Sequence, residues 1–283
     1  MSKKPNNISY SEYFESINGF TEDLNLGTIC LAEIIEKYYQ YDVTYNNLWN
    51  YCKKNKIVTQ KRRRFFNEEF FFKWTPELCY ILGWILSDGS IRRDNGVDIE
   101  INIKDKDILE SIKKHISFTK NVREQTRSKI RKNGTVSETA RITFFSPKVV
   151  KLLASFGLVP NKTHIVKWIK DIPEEYENHF IRGIFDGDGS VFISSDRIYF
   201  SLCGTKDLLQ EVQKRVKKFV PKDIKGSLHR GHGVWELSYS GNRSLKAIFY
   251  YMYFESNQTT RLRRKYDKFS HWFHEDIDET ITI

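Results

Sequence analysis

The most restrictive feature of this sequence is a segment that occurs twice. ILGWILSDGS at residues 81–90 and IRGIFDGDGS at residues 181–190 both run from an apolar stretch into small and acidic residues. From each copy onward, the hydrophobic pattern predicts helix, two strands, helix, two strands and helix. Because 283 residues are also more than one hydrophobic core usually needs, we expect a mixed α+β protein built from two similar units.

The two units are predicted to cover residues 75–172 and 173–283. The first begins with Thr75-Pro76-Glu77, which combines an N-cap residue, a proline at the first helical position and an early acid. Each unit then carries strands in which apolar and polar residues alternate, joined by short turns. A basic and aromatic helix within TTRLRRKYDKFSHWF is expected near the end of the second unit.

Residues 1–60 are predicted to form a separate small helical domain. LAEIIEKYYQYDVTYNNLWNYCKKN reads as two short helices, and the second is capped by Thr44 and presents Tyr45 and Asn46. The arrangement resembles a helix-turn-helix, whose second helix contacts DNA. A small helical packing module with no role in DNA binding explains the pattern nearly as well as a helix-turn-helix does.

A basic segment follows this domain. Residues 51–64 contain seven basic residues and no acid, whereas residues 1–50 contain three lysines and seven acids. We interpret residues 61–74 as a linker in which Arg62, Arg63 and Arg64 lie on phosphates. A solvated linker without DNA contact is the alternative interpretation.

The overall composition favours a soluble protein with a polyanionic partner. The formal net charge is +10, which points to nucleic acid. The four cysteines are scattered without metal-binding spacing, which is typical of reduced thiols inside a cell. The N-terminus lacks a secretory signal and no run of eighteen apolar residues occurs, so we expect an intracellular protein without a membrane partner.

Small residues recur at helical spacing within the two repeated segments. Gly83 and Ser87 are four residues apart, as are Gly183 and Gly187, so each pair lies on one face of its helix. Small residues at this spacing let two helix backbones approach closely. A glycine inside a helix costs roughly 0.5–1 kcal/mol relative to alanine, so we expect the two helices to pack against each other here.

Asp88 and Asp188 end these two predicted helices, and pairing of the helices would bring them together. A helix C-terminus carries partial negative charge, and two unit charges about 4 Å apart repel by about 4 kcal/mol at an effective dielectric constant of about 20. A divalent cation relieves that repulsion, and oxygen ligands suit Mg²⁺. Metal ions held by two carboxylates on a basic protein suit hydrolysis of phosphodiester bonds.

ILGWILSDG at residues 81–89 and IRGIFDGDG at residues 181–189 resemble the two signature helices of single-chain LAGLIDADG homing endonucleases. The resemblance covers residues 75–270. It implies two pseudo-symmetric αββαββα units packed through these helices, with their sheets forming a saddle on double-stranded DNA. It also implies that Asp88 and Asp188 bind two or three catalytic Mg²⁺ ions, for which Mn²⁺ substitutes, with help from the carbonyl groups of Ser87 and Gly187.

Some positions depart from the family pattern. The second motif position is usually small, but it is Leu82 in the first copy and Arg182 in the second. Leu86 replaces the acid usual at the sixth position, whereas Asp186 retains it. We expect these changes to make the helix interface asymmetric and to leave the metal ligands intact.

The resemblance also implies basic residues near the scissile phosphates and a base-reading surface on the strands. Lys162 is the candidate basic residue of the first unit, and Arg263 or Lys265 is the candidate of the second. Outward-facing polar residues of the strands are the expected DNA contacts, although any half-exposed sheet carries such residues. They are Asn102, Lys104, Arg123, Gln125, Arg127, Arg141, Arg197, Tyr199, Lys225, Ser227 and His229.

Together these features predict a monomeric, intron-encoded endonuclease. It would make a metal-dependent double-strand break in a long DNA target and leave short 3′ overhangs, as the resemblance implies. A DNA-binding transcription regulator with a repurposed fold is one alternative, although retention of both aspartates argues against it. An RNA maturase that binds its host intron RNA is another, either instead of nuclease activity or in addition to it.

Overall fold

The computed structural model describes residues 3–25, 31–57, 66–130, 136–162, 165–231 and 233–274. The chain divides into two compact units, Met1–Arg64 and Phe65–Ile283. Each unit has its own cluster of buried apolar side chains.

The N-terminal unit is helical and contains more helices than the sequence pattern predicted. Its described residues form the helices α1 Tyr10–Ser16, α2 Phe20–Asn25, α3 Leu31–Lys37 and α4 Tyr45–Lys54. The first was missed although Ser9 and Glu12 form a capping box, in which each side chain accepts a hydrogen bond from the other residue's backbone N–H. Thr44 caps α4 as predicted, and Leu48 and Cys52 point into the core.

The larger unit has the predicted repeat of elements. Its first half comprises α5 Pro76–Ser87, β1 Gly89–Ile91, β2 Gly96–Asn102, α6 Lys106–His115, β3 Arg123–Ile130, β4 Val136–Phe145 and α7 Pro147–Ser155. Its second half comprises α8 Glu177–Asp188, β5 Gly189–Ser194, β6 Arg197–Gly204, α9 Lys206–Val216, β7 Ser227–Gly231, β8 Val234–Ser240, α10 Asn242–Tyr253 and α11 Arg263–Phe273. Both halves follow the αββαββα order.

The two halves also share one sheet topology. The strand order is β1-β2-β4-β3 in the first sheet and β5-β6-β8-β7 in the second, and every neighbouring pair is antiparallel. One side of each sheet is buried against helices, as Ile99 in β2 and Phe200 in β6 show. The other side, called here the open face, carries polar residues. The prediction of a duplicated α+β unit is therefore confirmed.

The predicted helix starts have the expected physical cause. Thr75 accepts a hydrogen bond from the backbone N–H of Leu78 and Pro76 fills the first helical position, so α5 begins where the sequence indicated. α5 and α8 are almost wholly buried, and they pack against each other at the centre of the larger unit.

Two boundaries differ from the sequence-based expectation. Residues 66–74 were assigned to the linker, but Phe66 and Phe71 pack on Phe144 in the core of the larger unit. β2 was expected to continue to Lys104, but it ends at Asn102. The side-chain oxygen of Asn102 accepts a hydrogen bond from the Lys104 backbone N–H at 3.0 Å and starts a 3₁₀ turn, so Lys104 is exposed on that turn and not on the strand.

Candidate metal centre and nucleic-acid interface

The small residues of α5 and α8 allow direct contact between the two helix backbones. A Cβ atom built on Gly83 would lie 2.6 Å from the carbonyl oxygen of Phe180, and one built on Gly183 would lie 2.2 Å from that of Tyr80. A Cβ on Gly187 would lie 2.0 Å from the hydroxyl oxygen of Ser87. Any side chain at these glycines would therefore push the helices apart.

This close packing brings the ends of the two helices together. Asp88 is the C-cap of α5, and its Oδ2 lies 3.0 Å from the position that a Cβ on Gly187 would occupy. Asp188 is the last residue of α8 and is exposed, whereas Asp88 is half-buried. The two predicted metal ligands thus lie at one place on the surface of the larger unit.

The electrostatics of the two carboxylates indicate uncompensated negative charge. Burial, and then the charge of Asp188, raise the pKa of Asp88 to about 6, even though Lys265 and Lys162 act in the opposite direction. Desolvation also raises the pKa of Asp188, against the effect of the same two lysines. Because Asp188 is exposed, its shift carries less weight than that of Asp88.

The available ligands fit a hydrated magnesium ion better than a metal held by protein alone. Among the described residues, no group of three histidine, cysteine or acidic side chains could enclose a metal. Mg²⁺ is usually held by one or two carboxylates together with water and substrate phosphates, so Asp88 and Asp188 meet this need. The last carbonyl groups of each helix, which include those of Ser87 and Gly187, have no partner within a regular helix.

A buried lysine stands beside each aspartate. Lys162 donates a hydrogen bond from Nζ to the carbonyl oxygen of Gly89 at 2.6 Å, and Lys265 donates to that of Gly189 at 2.6 Å. Each accepting residue directly follows one of the two aspartates. Of the two candidates for the second unit, Lys265 therefore has the position equivalent to Lys162.

The two lysines differ in their remaining hydrogen bonds. Lys265 also donates to the carbonyl oxygens of Phe185 at 2.6 Å and Asp186 at 2.7 Å, so all three of its N–H groups are used. Burial lowers its pKa to about 8 and lowers the pKa of Lys162 as well. The described hydrogen bonds of the Lys162 ammonium group go to Gly89 alone. Lys162 therefore has donors available for a phosphate.

The motif departures make the interface asymmetric, as expected. Asp186 accepts hydrogen bonds from the Tyr80 hydroxyl at 2.7 Å and from the Leu262 backbone N–H at 2.8 Å. Arg182 is fully buried and donates to the carbonyl oxygens of Thr260, at 2.6 Å, and Met252. In the second half, motif residues thus hold the segment that leads into α11. Their first-half counterparts are buried leucines.

The open face of the first sheet is polar and internally paired. Asn102, Arg123, Gln125 and Arg141 all lie on it according to the strand register. Arg141 is half-buried, forms an ion pair with Glu100 and donates to the Gln125 side-chain oxygen at 3.4 Å. This arginine is therefore held by neighbours on the sheet, whereas Arg123 and Gln125 are exposed.

The open face of the second sheet carries Arg197, Tyr199, Ser227 and His229 on neighbouring strands. Tyr199 stacks on Phe192, with ring centroids 5.0 Å apart. The sheet thus presents an aromatic platform beside its polar residues. The sequence-based choice of polar residues missed Phe192, although its place opposite a tyrosine follows from the strand alternation.

Asp188 lines a cleft of about 750 Å³ together with Leu86 and Ser87 at the end of α5. Its lining includes the cationic side chains of Lys167, Lys206 and Arg230. The ammonium group of Lys206 lies 4.9 Å from the centre of the Trp235 ring. Cationic side chains that line the same cleft as Asp188 suit a negatively charged backbone that enters it.

The remaining predicted contacts belong to other elements or lie outside the described residues. Tyr45 and Asn46 are exposed on α4 of the N-terminal unit, and Lys225 is exposed just before β7. Arg62, Arg63, Arg64 and the side chain of Arg127 lie outside the described residues. Within the described part of the chain, every helix is too short or too polar to cross a bilayer.

The second copy of the repeated segment lies in a region that matches a known protein family. The LAGLIDADG-like domain family matches residues 175–252. No curated protein matches the chain.

Three solved structures illustrate the structural likenesses. The homing endonuclease I-WcaI bound to its DNA recognition sequence has 16% identity over 70% of this chain and 91% of its own, with a TM-score of 0.49. The I-LtrWI LAGLIDADG homing endonuclease bound to target DNA has 12% identity over 73% and 91%, with a TM-score of 0.44. Full-length DUF199/WhiA from Thermatoga maritima has 15% identity over 77% and 71%, with a TM-score of 0.44.

The family match falls on the second half of the larger unit. Residues 175–252 include α8, with the second copy of the repeated segment, and all four strands of the second sheet. The chain therefore contains a LAGLIDADG-like domain over residues 175–252.

Proposed function

We propose that this protein is a site-specific, metal-dependent endonuclease of double-stranded DNA, of the homing type. The observation that carries the proposal is the paired arrangement at the ends of α5 and α8. There, Asp88 and Asp188 come together and each is followed by a glycine whose carbonyl oxygen accepts a hydrogen bond from a buried lysine. Such a duplicated acid and base arrangement suits attack on two phosphodiester bonds, one on each strand.

Asp88 and Asp188 would hold divalent metal ions, with the carbonyl groups of Ser87 and Gly187 as further oxygen ligands. Mg²⁺ bound there would polarise the scissile phosphate and lower the pKa of a bound water. We propose two or three such ions, with Mn²⁺ as a substitute. The raised pKa of Asp88 supports this role, because a cation would relieve the charge that burial and Asp188 leave uncompensated.

Lys162 has a role of its own in this scheme. It is buried, lies close enough to both aspartates to interact with their charges, and has N–H groups beyond the one bound to Gly89. These groups can donate to a phosphate oxygen and stabilise the charge that develops in the transition state. Lys265 would orient the end of α8 and offer its positive charge without a spare donor.

The open faces of the two sheets would lie in the major groove on either side of the cleavage site. Exposed donors on them, Arg123 and Gln125 on the first sheet and Arg197 and His229 on the second, suit base edges and phosphates. We propose that the protein acts as a monomer and leaves short 3′ overhangs. An intron origin and binding of host intron RNA are further predictions of the family resemblance.

A randomised DNA library tests the proposal even while the target sequence is unidentified. We expect the protein with Mg²⁺ to cut a small subset of a library of circular, randomised duplexes into linear molecules whose ends share one sequence. The same reaction in EDTA should leave the circles closed. Random ends, or no linear product with Mg²⁺ or Mn²⁺ in a library from which the protein selects a binding site, would contradict the proposal.

A DNA-binding protein without nuclease activity is the second candidate. One observation favours it. The three N–H groups of Lys265 all donate to backbone carbonyl groups, so this lysine stabilises the fold of the second half and has no donor left for a phosphate. This candidate predicts selection of one sequence by binding and no cleavage of that sequence under any metal.

A further inference from the structure

Glu236 is an acid on the open face of the second sheet. It lies on β8, which runs between β6 and β7, and it is paired with Cys203 on one side and His229 on the other. It is the one acid within the four strands of the second sheet, all of which the structure describes. An acid that faces DNA is repelled by the phosphates, so its presence on this face needs an explanation, such as a specific hydrogen-bond donor that it binds.

The acids on the open face of the first sheet already have cationic partners. Glu100 pairs with Arg141 there. Asp98 accepts a hydrogen bond from Thr143 at 2.6 Å and lies 3.9 Å from Arg92. Their charges are thus offset within the protein.

Glu236 has a different environment. Its Oε1 accepts a hydrogen bond from the Ser201 hydroxyl at 2.7 Å, and its Oε2 lies 4.0 Å from the Nε2 of His229. No lysine or arginine of the described residues forms an ion pair with it. The side chain is 33% exposed. The serine therefore holds one oxygen in place, while the other keeps acceptor capacity on the open face.

The chemistry of the major groove limits what such an acceptor can bind. The exocyclic amino groups of cytosine (N4) and adenine (N6) are the hydrogen-bond donors of that groove, whereas guanine N7 and O6 and thymine O4 are acceptors. A carboxylate accepts hydrogen bonds only, so it attracts an amino group and is repelled by the acceptor edges.

We propose that Glu236 is a specificity-determining residue that selects a base with an exocyclic amino group, cytosine or adenine, at one position of the target. This inference rests on the proposed function, which places the open face of the second sheet in the major groove. Ser201 is the positioning residue, because its hydroxyl fixes one carboxylate oxygen. Because β8 is an interior strand, it holds Glu236 in a defined register, and the carboxylate would contact a single base pair.

The test is a selection by binding from a randomised duplex library, done in EDTA so that cleavage plays no part. The full-length wild type, Glu236→Met and the control Glu174→Met are compared, because methionine has the length of glutamate but no carboxylate or amide oxygen. Glu174 lies off the sheets on a 3₁₀ turn, where it is exposed and paired with Lys218. We expect Glu236→Met to lose a cytosine or adenine preference of about tenfold at one position and to keep the others. The control should select the wild-type sequence.

A second measurement changes the DNA base instead of the protein and determines the binding affinity of the well-folded wild type. At the position identified, cytosine is replaced by pyrimidin-2-one, or adenine by purine, and each analogue lacks the amino group. Wild-type affinity should fall by about the same tenfold, whereas the affinity of Glu236→Met should not change further. An equal loss in both proteins would overturn the assignment of Glu236, and the choice of analogue distinguishes the two bases.

The outcomes separate this inference from the proposed function. If the wild type and Glu236→Met select identical sequences, Glu236 does not read a base, while DNA recognition by the protein still stands. If the wild type selects no sequence at all, the proposed DNA recognition is wrong and the assignment of Glu236 falls with it.

Discussion

Asp186 and Leu86 occupy the same position in the two repeated segments, yet their contacts differ. Both are buried, but Asp186 accepts hydrogen bonds from Tyr80 and Leu262, whereas Leu86 is surrounded by the apolar core. The sequence revealed this difference in residue type. It did not reveal its consequence, because the partners of Asp186 come from distant parts of the chain.

His179, which is buried beside Arg182, makes the stability of the fold depend on pH. Its Nδ1 lies 2.7 Å from the Nη2 of Arg182, and burial together with that charge lowers the pKa of His179 to about 3. The folded state therefore disfavours protonation of this histidine. Its contribution to stability is complete above the unfolded-state pKa of about 6.5 and is lost as the pH falls from there towards 3.

We expect His179→Gln to reduce the acid sensitivity of the fold. Gln keeps an acceptor for Arg182 but does not titrate, so the variant should lose about 2 kcal/mol less unfolding free energy than the wild type between pH 7 and about pH 4.5. Urea denaturation at the two pH values measures this. His271→Gln, at an exposed position on α11, is the control. Equal acid sensitivity of wild type and His179→Gln would contradict the account.

At the level of elements, the contact between α5 and α8 is the feature on which the candidate site depends. Gly183→Ala should test it, because the new Cβ would meet backbone atoms of α5, with Tyr80 O at 2.2 Å and the Gly83 Cα at 3.0 Å. Alanine favours a helix over glycine by about 1 kcal/mol, so intrinsic propensity alone predicts stabilisation. We expect the opposite sign, a loss of about 1–3 kcal/mol from overpacking.

Thermal and urea unfolding of Gly183→Ala measure this loss. Gly231→Ala is the matched control, because a Cβ at Gly231 would have no neighbour within 4 Å and its backbone needs no positive φ. The control should unfold like the wild type. A stabilised Gly183→Ala would show that the helices do not pack as closely as described.

Much of the element order could be predicted because it has local causes. Short stretches of sequence contain these causes. They are helix caps such as Thr75, the alternation of apolar and polar residues in β2 and β6, and the spacing of small residues in α5 and α8. The bounds of the linker could not be predicted. Burial of Phe66 and Phe71 depends on Phe144, which is more than seventy residues away in the chain.

The candidate site was likewise predictable from the sequence only in part. The aspartates and small residues were found because the segment repeats, and Lys162 came from the family resemblance. Glu236 was missed because the expected DNA contacts were hydrogen-bond donors at outward strand positions. Its lack of a lysine or arginine partner among the described residues is a property of the folded sheet, where its neighbours prove to be Ser201 and His229.

At the scale of the whole molecule, the charge distribution predicts how binding depends on salt. Arg62, Arg63 and Arg64 belong to a run of seven basic residues. If each neutralises a phosphate, changing all three to Gln should make the slope of log K against log salt shallower by about 2–3. Affinity measured by fluorescence anisotropy at several salt concentrations provides the slopes.

A matched control removes the same charge elsewhere. Lys214, Lys217 and Lys222 are exposed on or just after α9, which packs against the buried side of the second sheet. Their combined change to Gln should leave the slope nearly unchanged. Equal slopes for the wild type and the triple arginine variant would mean that this segment does not contact DNA.

Asp88 and Asp188, brought together by the pairing of α5 and α8, form the proposed nuclease centre. The most direct measurement compares the wild type with Asp88→Asn, Asp188→Asn and the double variant in a Mg²⁺ cleavage assay on the selected target. We expect each single variant to reduce the double-strand cleavage rate by at least about a hundredfold, because a metal ligand is lost. The double variant should bind the target in EDTA and cut neither strand. A double variant that cuts like the wild type would contradict the account.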